Sequence, residues 1–273
     1  MKTLENQTLL YDEECPMCNL YTAGFIKAGM MDQNGRKPFV AITEDESKFI
    51  DINRASNEIA LVNHQDKTVI YGIDSLLTII GHSFPWMKKL GTTEPIYFLL
   101  KKLYKFISFN RKVIIPSREK ENCQLQCVPD FNFTYRYLYL VFATVITVLT
   151  LYKCASILTL LPKASITREI VLATGQIAFQ LVFLTRNNYK TNLNYIGNLL
   201  TVSLMGALIL LPMIVVNEFI TIPQLVILGW FGMTVLLMVL EHFRRVKILK
   251  LPHYLTATWI AYRILALFII LTF

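Results

Sequence analysis

Apolar positions recur with one rhythm in the first 115 residues and another after residue 134. Early in the chain the apolar runs are short and separated by turn-forming residues. Thr8-Leu9-Leu10-Tyr11 reads as a short buried strand. Asn19 to Met30 carries Leu20, Tyr21, Phe25 and Ile26 near helical spacing. Asn34-Gly35-Arg36-Lys37-Pro38 reads as a turn, and Phe39-Val40-Ala41-Ile42 as a second strand, parallel to the first if a helix joins them. Glu44 to Asn53 reads as a short acidic helix capped by Thr43. Glu58 to Val62 and Thr68 to Tyr71 flank a Gln65-Asp66-Lys67 turn and predict a hairpin. Asp74 to His82 predicts a helix with Leu76, Leu77, Ile79 and Ile80 on its buried side. Pro95 to Asn110 predicts an amphipathic helix that opposes Lys101, Lys102 and Lys105 to Ile96, Leu99, Leu100, Leu103, Phe106 and Ile107. Its apolar face is expected either on the sheet or in a membrane interface.

Arg118 to Gln126 is a polar linker. From Phe131 the chain turns aromatic, with Phe133, Tyr135, Tyr137 and Tyr139, as at the entry to a bilayer. Five long apolar segments follow, roughly 135–161, 169–185, 193–216, 224–240 and 254–273. Each reaches the length of about 17–25 residues that a spanning helix needs. The expected organisation is a domain at 1–115, a linker at 116–133 and a transmembrane domain of about five helices at 134–273. The expected fold class is an α/β thioredoxin-like domain followed by an all-α transmembrane helix bundle.

Composition supports the bilayer reading. The hydrophobic content is 54% and the mean hydropathy +0.45. Residues 1–134 hold 16 Lys+Arg and 16 Asp+Glu, while residues 135–273 hold 11 Lys+Arg and 3 Asp+Glu. The whole net charge of +8 therefore belongs to the apolar half, where basic loops set topology. That placement argues against a nucleic-acid partner. Residues 81–134 carry 9 basic and 4 acidic groups, which suits either a face on anionic lipid or a solvated helix face. With the N-terminus inside, the second and fourth loops carry Arg186, Lys190, Arg244, Arg245, Lys247 and Lys250 on the cytoplasmic side. The opposite side then carries only Lys163 and Arg168. Met1 to Gln7 is polar and lacks the pattern of a signal peptide, which agrees with a cytoplasmic first domain. The expected location is a bacterial inner membrane.

The chemistry-bearing stretch is Asp12-Glu13-Glu14-Cys15-Pro16-Met17-Cys18. It lies between the first strand and the first helix, the layout of a thioredoxin-like redox site. Cys15 falls at the helix N-cap and Pro16 at the first helical position, where a missing N–H costs nothing. Unpaired N–H groups and the helix dipole favour a thiolate at Cys15, while Asp12, Glu13 and Glu14 oppose it. If the acids prevail, the thiol pKa stays high and the pair acts as a reductant. The chain also holds Cys123, Cys127 and Cys154. Three readings of the first four cysteines stay open: exchange at Cys15 and Cys18 alone, exchange with a second pair at Cys123 and Cys127, or a four-thiolate zinc site. Cys154 reads as a small apolar residue. His64, His82, His242 and His253 are scattered and form no ligand pair with a cysteine. Gln176, Gln180, Asn198 and Arg263 lie inside apolar segments and read as groups facing the bundle interior.

Tyr11-Asp12-Glu13-Glu14-Cys15-Pro16-Met17-Cys18 resembles the Asp-x-x-Cys-x-x-Cys motif of the DCC family of thiol-disulfide oxidoreductases. Ile96-Tyr97, followed by a basic helix ending in Asn110-Arg111, is similar to that family's C-terminal helix. The resemblance covers about residues 6–115. It implies a thioredoxin-like fold, Cys15 as nucleophile, Cys18 as resolving thiol and Asp12 as the family acid. The expected substrate is a thiol or disulfide, protein or small molecule, and no cofactor or metal is expected. One departure stands out. Thioredoxins place a cis-proline before the strand facing the cysteines, whereas here that segment is Arg54-Ala55-Ser56-Asn57-Glu58. The expected function is thiol-disulfide exchange by a membrane-anchored oxidoreductase, against two alternatives. One is a metal-binding or redox-inert anchored adaptor. The other is a transporter or electron carrier with an accessory redox domain.

Overall fold

The computed structural model describes residues 2–117, 129–160, 162–185 and 187–272. They fall into two compact units, Met1–Tyr135 and Arg136–Phe273. Cys123 and Cys127 lie outside the described residues.

The first unit is built on a four-stranded mixed sheet. Its strands are β1 (Gln7–Tyr11), β2 (Arg36–Pro38), β3 (Ala60–Asn63) and β4 (Thr68–Tyr71), in the order β2-β1-β3-β4. β1 pairs in parallel with β2 and antiparallel with β3, and β3 pairs antiparallel with β4. The central strands read as unbroken apolar runs because both faces are covered. Side chains alternate across a strand, so Leu9 and Leu61 enter a layer with Leu4, Met31, Ile59 and Ile79. Leu10, Ala60 and Val62 enter the opposite layer, with Phe39, Ile50 and Ala55.

The helices of this unit are α1 (Pro16–Lys27), α2 (Glu44–Ser47), α3 (Ile52–Asn57), α4 (Ile73–Ser83), α5 (Pro85–Gly91) and α6 (Ile96–Ile114). α1 starts where its sequence directs, with Cys15 at the N-cap and Pro16 at the first position. Thr43 caps α2 in a capping box with Glu46. α4 begins at Gly72, whose φ of +66° suits glycine, and whose added Cβ would meet the Glu58 carboxylate.

Two expectations are corrected. The second strand is Arg36–Pro38, and Phe39–Ala41 is a 3-10 turn. The chain turns early, with the Gly35 N–H bonded to Asp32 O, so Leu9 faces Arg36. Pro38 then ends the ladder on an edge strand, where its missing N–H is tolerated, and Phe39 drops into the core. The single helix expected over 44–53 is two, because Asp51 accepts the Arg54 N–H and starts α3 afresh. On α6, Leu99, Leu103 and Ile107 remain exposed. The residues turned inward are Tyr104, Ser108 and Arg111.

The second unit is all helical: α7 (Phe133–Ile157), α8 (Ile166–Val182), α9 (Tyr189–Phe219), α10 (Gln224–Ile248) and α11 (Tyr254–Thr272). Four of them, all but α8, are long and apolar enough to cross a membrane, so the protein is a membrane protein. All five expected segments are helical, but α8 has 17 residues, about 26 Å at the usual rise. That sits at the lower limit for a bilayer core of about 30 Å. The core of this unit joins Leu199 and Val202 of α9, Met238 and Val246 of α10, and Leu255 and Trp259 of α11. Tyr139, expected in an interfacial belt, is buried instead and bonds Thr201 at 2.7 Å.

Candidate active site

The turn between β1 and α1 is made by Asp12. Its Oδ1 accepts the Glu14 N–H at 3.0 Å and its carbonyl accepts the Cys15 N–H at 3.2 Å. This is a side-chain-stabilised turn of the kind aspartate favours. Asn19 of α1 closes the turn from the other side by donating to Glu13 O at 2.6 Å. The result holds Cys15 at the start of α1 and Cys18 within its first turn. Both are free thiols and both are buried, Cys15 at 1% exposure and Cys18 at 5%. The sequence suggests an outer Cys15 and a shielded Cys18. Their exposures do not separate them.

Chemistry does. The Cys15 pKa is lowered to about 6. The largest cause is a hydrogen bond from the Cys18 thiol, which burial opposes. The Cys18 backbone N–H and the Arg111 guanidinium add to the lowering, and Asp12 acts weakly the other way. Cys18 moves strongly upward, first because it donates to Cys15, then because it is buried. One proton shared between two close sulfurs thus stays on Cys18 and leaves Cys15 ionised. The acids do not prevail at Cys15, contrary to one branch of the sequence expectation. The carboxylate of Asp12 is 5% exposed, and its Oδ2 faces Arg111 Nη2 at 3.8 Å. Each charge offsets the other, so the field of Asp12 at the sulfur is muted.

Arg111 is the residue that sequence reasoning passed over as a site member, although Asn110-Arg111 marks the end of the basic helix. It comes from α6, far along the chain. Three side chains on one face of that helix hold the segment before β3. Tyr104 accepts the Ile59 N–H at 2.9 Å, Ser108 donates to Asn57 O at 2.6 Å and Arg111 donates to Ser56 O at 3.0 Å. This is the segment that carries no proline, and these hydrogen bonds fix its path. Tyr21 of α1 completes the surroundings by hydrogen-bonding to Cys18, and its own pKa is pushed well up, chiefly by burial.

A cavity of about 220 Å³ opens beside this group, lined by Asp12, Met17, Cys18, Tyr21, Tyr104 and Arg111 among others. Among the described residues no cluster of three or more His, Cys, Asp or Glu is placed to hold a metal ion. Of the four cysteines in the zinc reading, the structure describes only Cys15 and Cys18. His242 is not part of any such group. It is buried between Tyr195 and Thr256, at 3.1 Å from each, and stacks on Trp259.

Residues 9–115 match the family model described as DCC1-like thiol-disulfide oxidoreductase. No curated protein and no solved structure matched the chain.

Proposed function

We propose, from the match of residues 9–115 to the DCC1-like thiol-disulfide oxidoreductase family model, that this membrane protein exchanges dithiol and disulfide at Cys15 and Cys18. The observation that carries the reading is the pair of buried free thiols, Cys15 at the N-cap of α1 and Cys18 in its first turn, and the lowered Cys15 pKa and raised Cys18 pKa agree with it. The Cys15 thiolate attacks one sulfur of a substrate disulfide, forming a mixed disulfide and releasing one substrate thiolate. Cys18 then attacks Cys15, its proton passing to the leaving sulfur. The products are the Cys15–Cys18 disulfide and a substrate dithiol, two electrons having moved from protein to substrate. The same steps reversed oxidise a substrate dithiol. The segment held by α6 and the cavity beside Cys18 are where a substrate chain is received. Both thiols being buried, exchange requires local opening of this face. Asp12 and Arg111 act as a positioning pair: Asp12 shapes the turn and Arg111 balances its charge.

We place the thiol domain, residues 1–115, on the cytoplasmic side of a bacterial inner membrane, followed by a linker and five crossings. What supports this is the six basic residues that five crossings put on the cytoplasmic side, in loops or helix ends, against two on the other side. α8 must cross for that arrangement to hold.

A redox titration of the full chain in detergent, read by the mass shift of trapped thiols, tests the exchange reading. A two-electron transition that vanishes in Cys15→Ser is the expected result. No transition between about −350 and −100 mV would remove the oxidoreductase reading.

A further inference from the structure

Of the four polar side chains that lie within apolar segments, Gln180, Asn198 and Arg263 hydrogen-bond to another helix and Gln176 does not. Gln180 accepts from Tyr195 at 3.1 Å and from Thr258 at 3.2 Å. Asn198 accepts from Arg245 at 2.9 Å. Gln176 is equally buried, at 5% exposure, yet neither its Oε1 nor its Nε2 has a hydrogen-bond partner. A buried polar group left so costs free energy unless something binds it.

Gln176 lines a cavity of about 330 Å³ within the second unit. That is the lower end of the range for small-molecule sites, about 300–1,000 Å³. Three more unpaired polar atoms belong to residues lining the same space: Thr147 Oγ1, Trp259 Nε1 and Arg263 Nε. Thr147 and Trp259 are buried. Most of the remaining wall is apolar, including Leu151, Leu172 and Phe231.

Arg263 sits at the middle of α11, where a charge in a spanning helix is costly and needs a partner. Its guanidinium reaches Ser203 at 3.4 Å and lies over the Trp259 ring at 4.9 Å. Neither carries a negative charge. Residues 136–273 contain three carboxylates. Glu169 pairs with Arg168, Glu241 pairs with Arg244 and Arg245, and Glu218 is exposed near the end of α9. No carboxylate of the described residues pairs with Arg263.

We propose that this cavity binds an acyl-chain anion, its head group held by Arg263, Gln176, Trp259 and Thr147 and its chain by the apolar wall. The unpaired groups include N–H and O–H donors from all four residues, and an anionic head group is an acceptor. A neutral carbonyl compound would satisfy some donors but leave the guanidinium uncompensated. A fatty acid and an anionic phospholipid share this chemistry, and the test separates them.

The full chain is placed in discs of dioleoyl phosphatidylcholine, and its tryptophan fluorescence is quenched with dibromostearate, with the methyl ester of that acid, or with brominated phosphatidylglycerol. Trp259 lies in the cavity, so bound bromine quenches it. Saturable quenching by the acid, with only proportional quenching by the ester, identifies a fatty-acid site. Saturable quenching by the phosphatidylglycerol alone identifies a phospholipid site. Trp259→Phe removes the saturable part in either case. Gln176→Leu and Arg263→Gln each weaken binding by about three- to tenfold or more. Gln176→Leu removes an unpaired amide and keeps the fold, so it decides the question if Arg263→Gln does not fold. The proposal is overturned if all three probes quench in proportion to their mole fraction, equally in wild type and Gln176→Leu.

Discussion

Replacing Cys18 by alanine should raise the Cys15 pKa from about 6 back to its ordinary value near 9 or above. The Cys18 thiol is the largest single cause of the lowering, and the substitution removes it. What remains on the favourable side is the backbone N–H of residue 18 and Arg111. Against them stand burial and Asp12, both unchanged. At pH 7 a thiol with a pKa of about 6 is roughly nine-tenths ionised, and one with a pKa of 9 is about one-hundredth ionised. Reactivity falls by less than this ratio. The more basic sulfur is intrinsically more nucleophilic by about 15- to 30-fold for a Brønsted slope of 0.4–0.5. The net loss in attack rate at pH 7 is therefore only about three- to sixfold, before any contribution from the missing resolving step. Absorbance of the thiolate at 240 nm separates ionisation from reactivity and does not require reagent to reach a buried sulfur. The full chain in detergent, reduced and titrated against a Cys15→Ser baseline, should give a midpoint near pH 6 that moves by about three pH units in Cys18→Ala. A wild-type midpoint above about 8, or a Cys18→Ala midpoint still near 6, would refute the argument that Cys18 holds Cys15 ionised.

The same ionisation is a stability term with a definite sign. Cys15 has a folded pKa below its ordinary value, so its contribution is present above about pH 9 and is lost as pH falls to about 6. Cys18 acts oppositely and begins to cost stability above about pH 9. Relative to Cys15→Ser, the reduced protein should gain resistance to pulse proteolysis between pH 6 and 9, and a flat difference would count against it. Arg111→Met should destabilise the first unit by about 3–5 kcal/mol, because it leaves the buried Asp12 carboxylate facing no cation. Asp12→Asn should recover part of that loss and, on the wild-type background, lower the Cys15 midpoint; denaturation and the 240-nm titration check the two effects. Five crossings put the C-terminus opposite the thiol domain, so a C-terminal alkaline phosphatase fusion should be active and a green fluorescent protein fusion dark. The reverse pattern would mean that α8 does not cross.

Much of the fold was legible because its signals are local. The Cys15-Pro16 helix start, the Thr43–Glu46 capping box and the hairpin of β3 and β4 each depend on neighbours within a few residues. The long apolar segments likewise announce themselves by composition. Where a local signal misled, a packing choice had overridden it. Phe39 belongs to an apolar run that suits a strand, but Pro38 ends the edge ladder and the core takes the ring. Tyr139 belongs to an aromatic series that suits an interface, but Thr201 gives its hydroxyl a buried partner.

The candidate site divides the same way. The sequence alone determined that Asp12, Cys15 and Cys18 stand together at a strand-to-helix turn, since chain connectivity allows nothing else over so few residues. Only the tertiary structure decided how that turn is charged. Arg111 lies 99 residues beyond Asp12 along the chain, and they meet because α6 brings it to the sheet end. The ordering of the thiols by proton affinity, rather than by exposure, also follows from burial and a single shared hydrogen bond. In the membrane half, the sequence located Gln176, Gln180, Asn198 and Arg263 as polar groups among apolar ones. Which of them found partners was settled by helix packing, because a hydrogen bond needs two groups within about 3 Å and composition carries no distances.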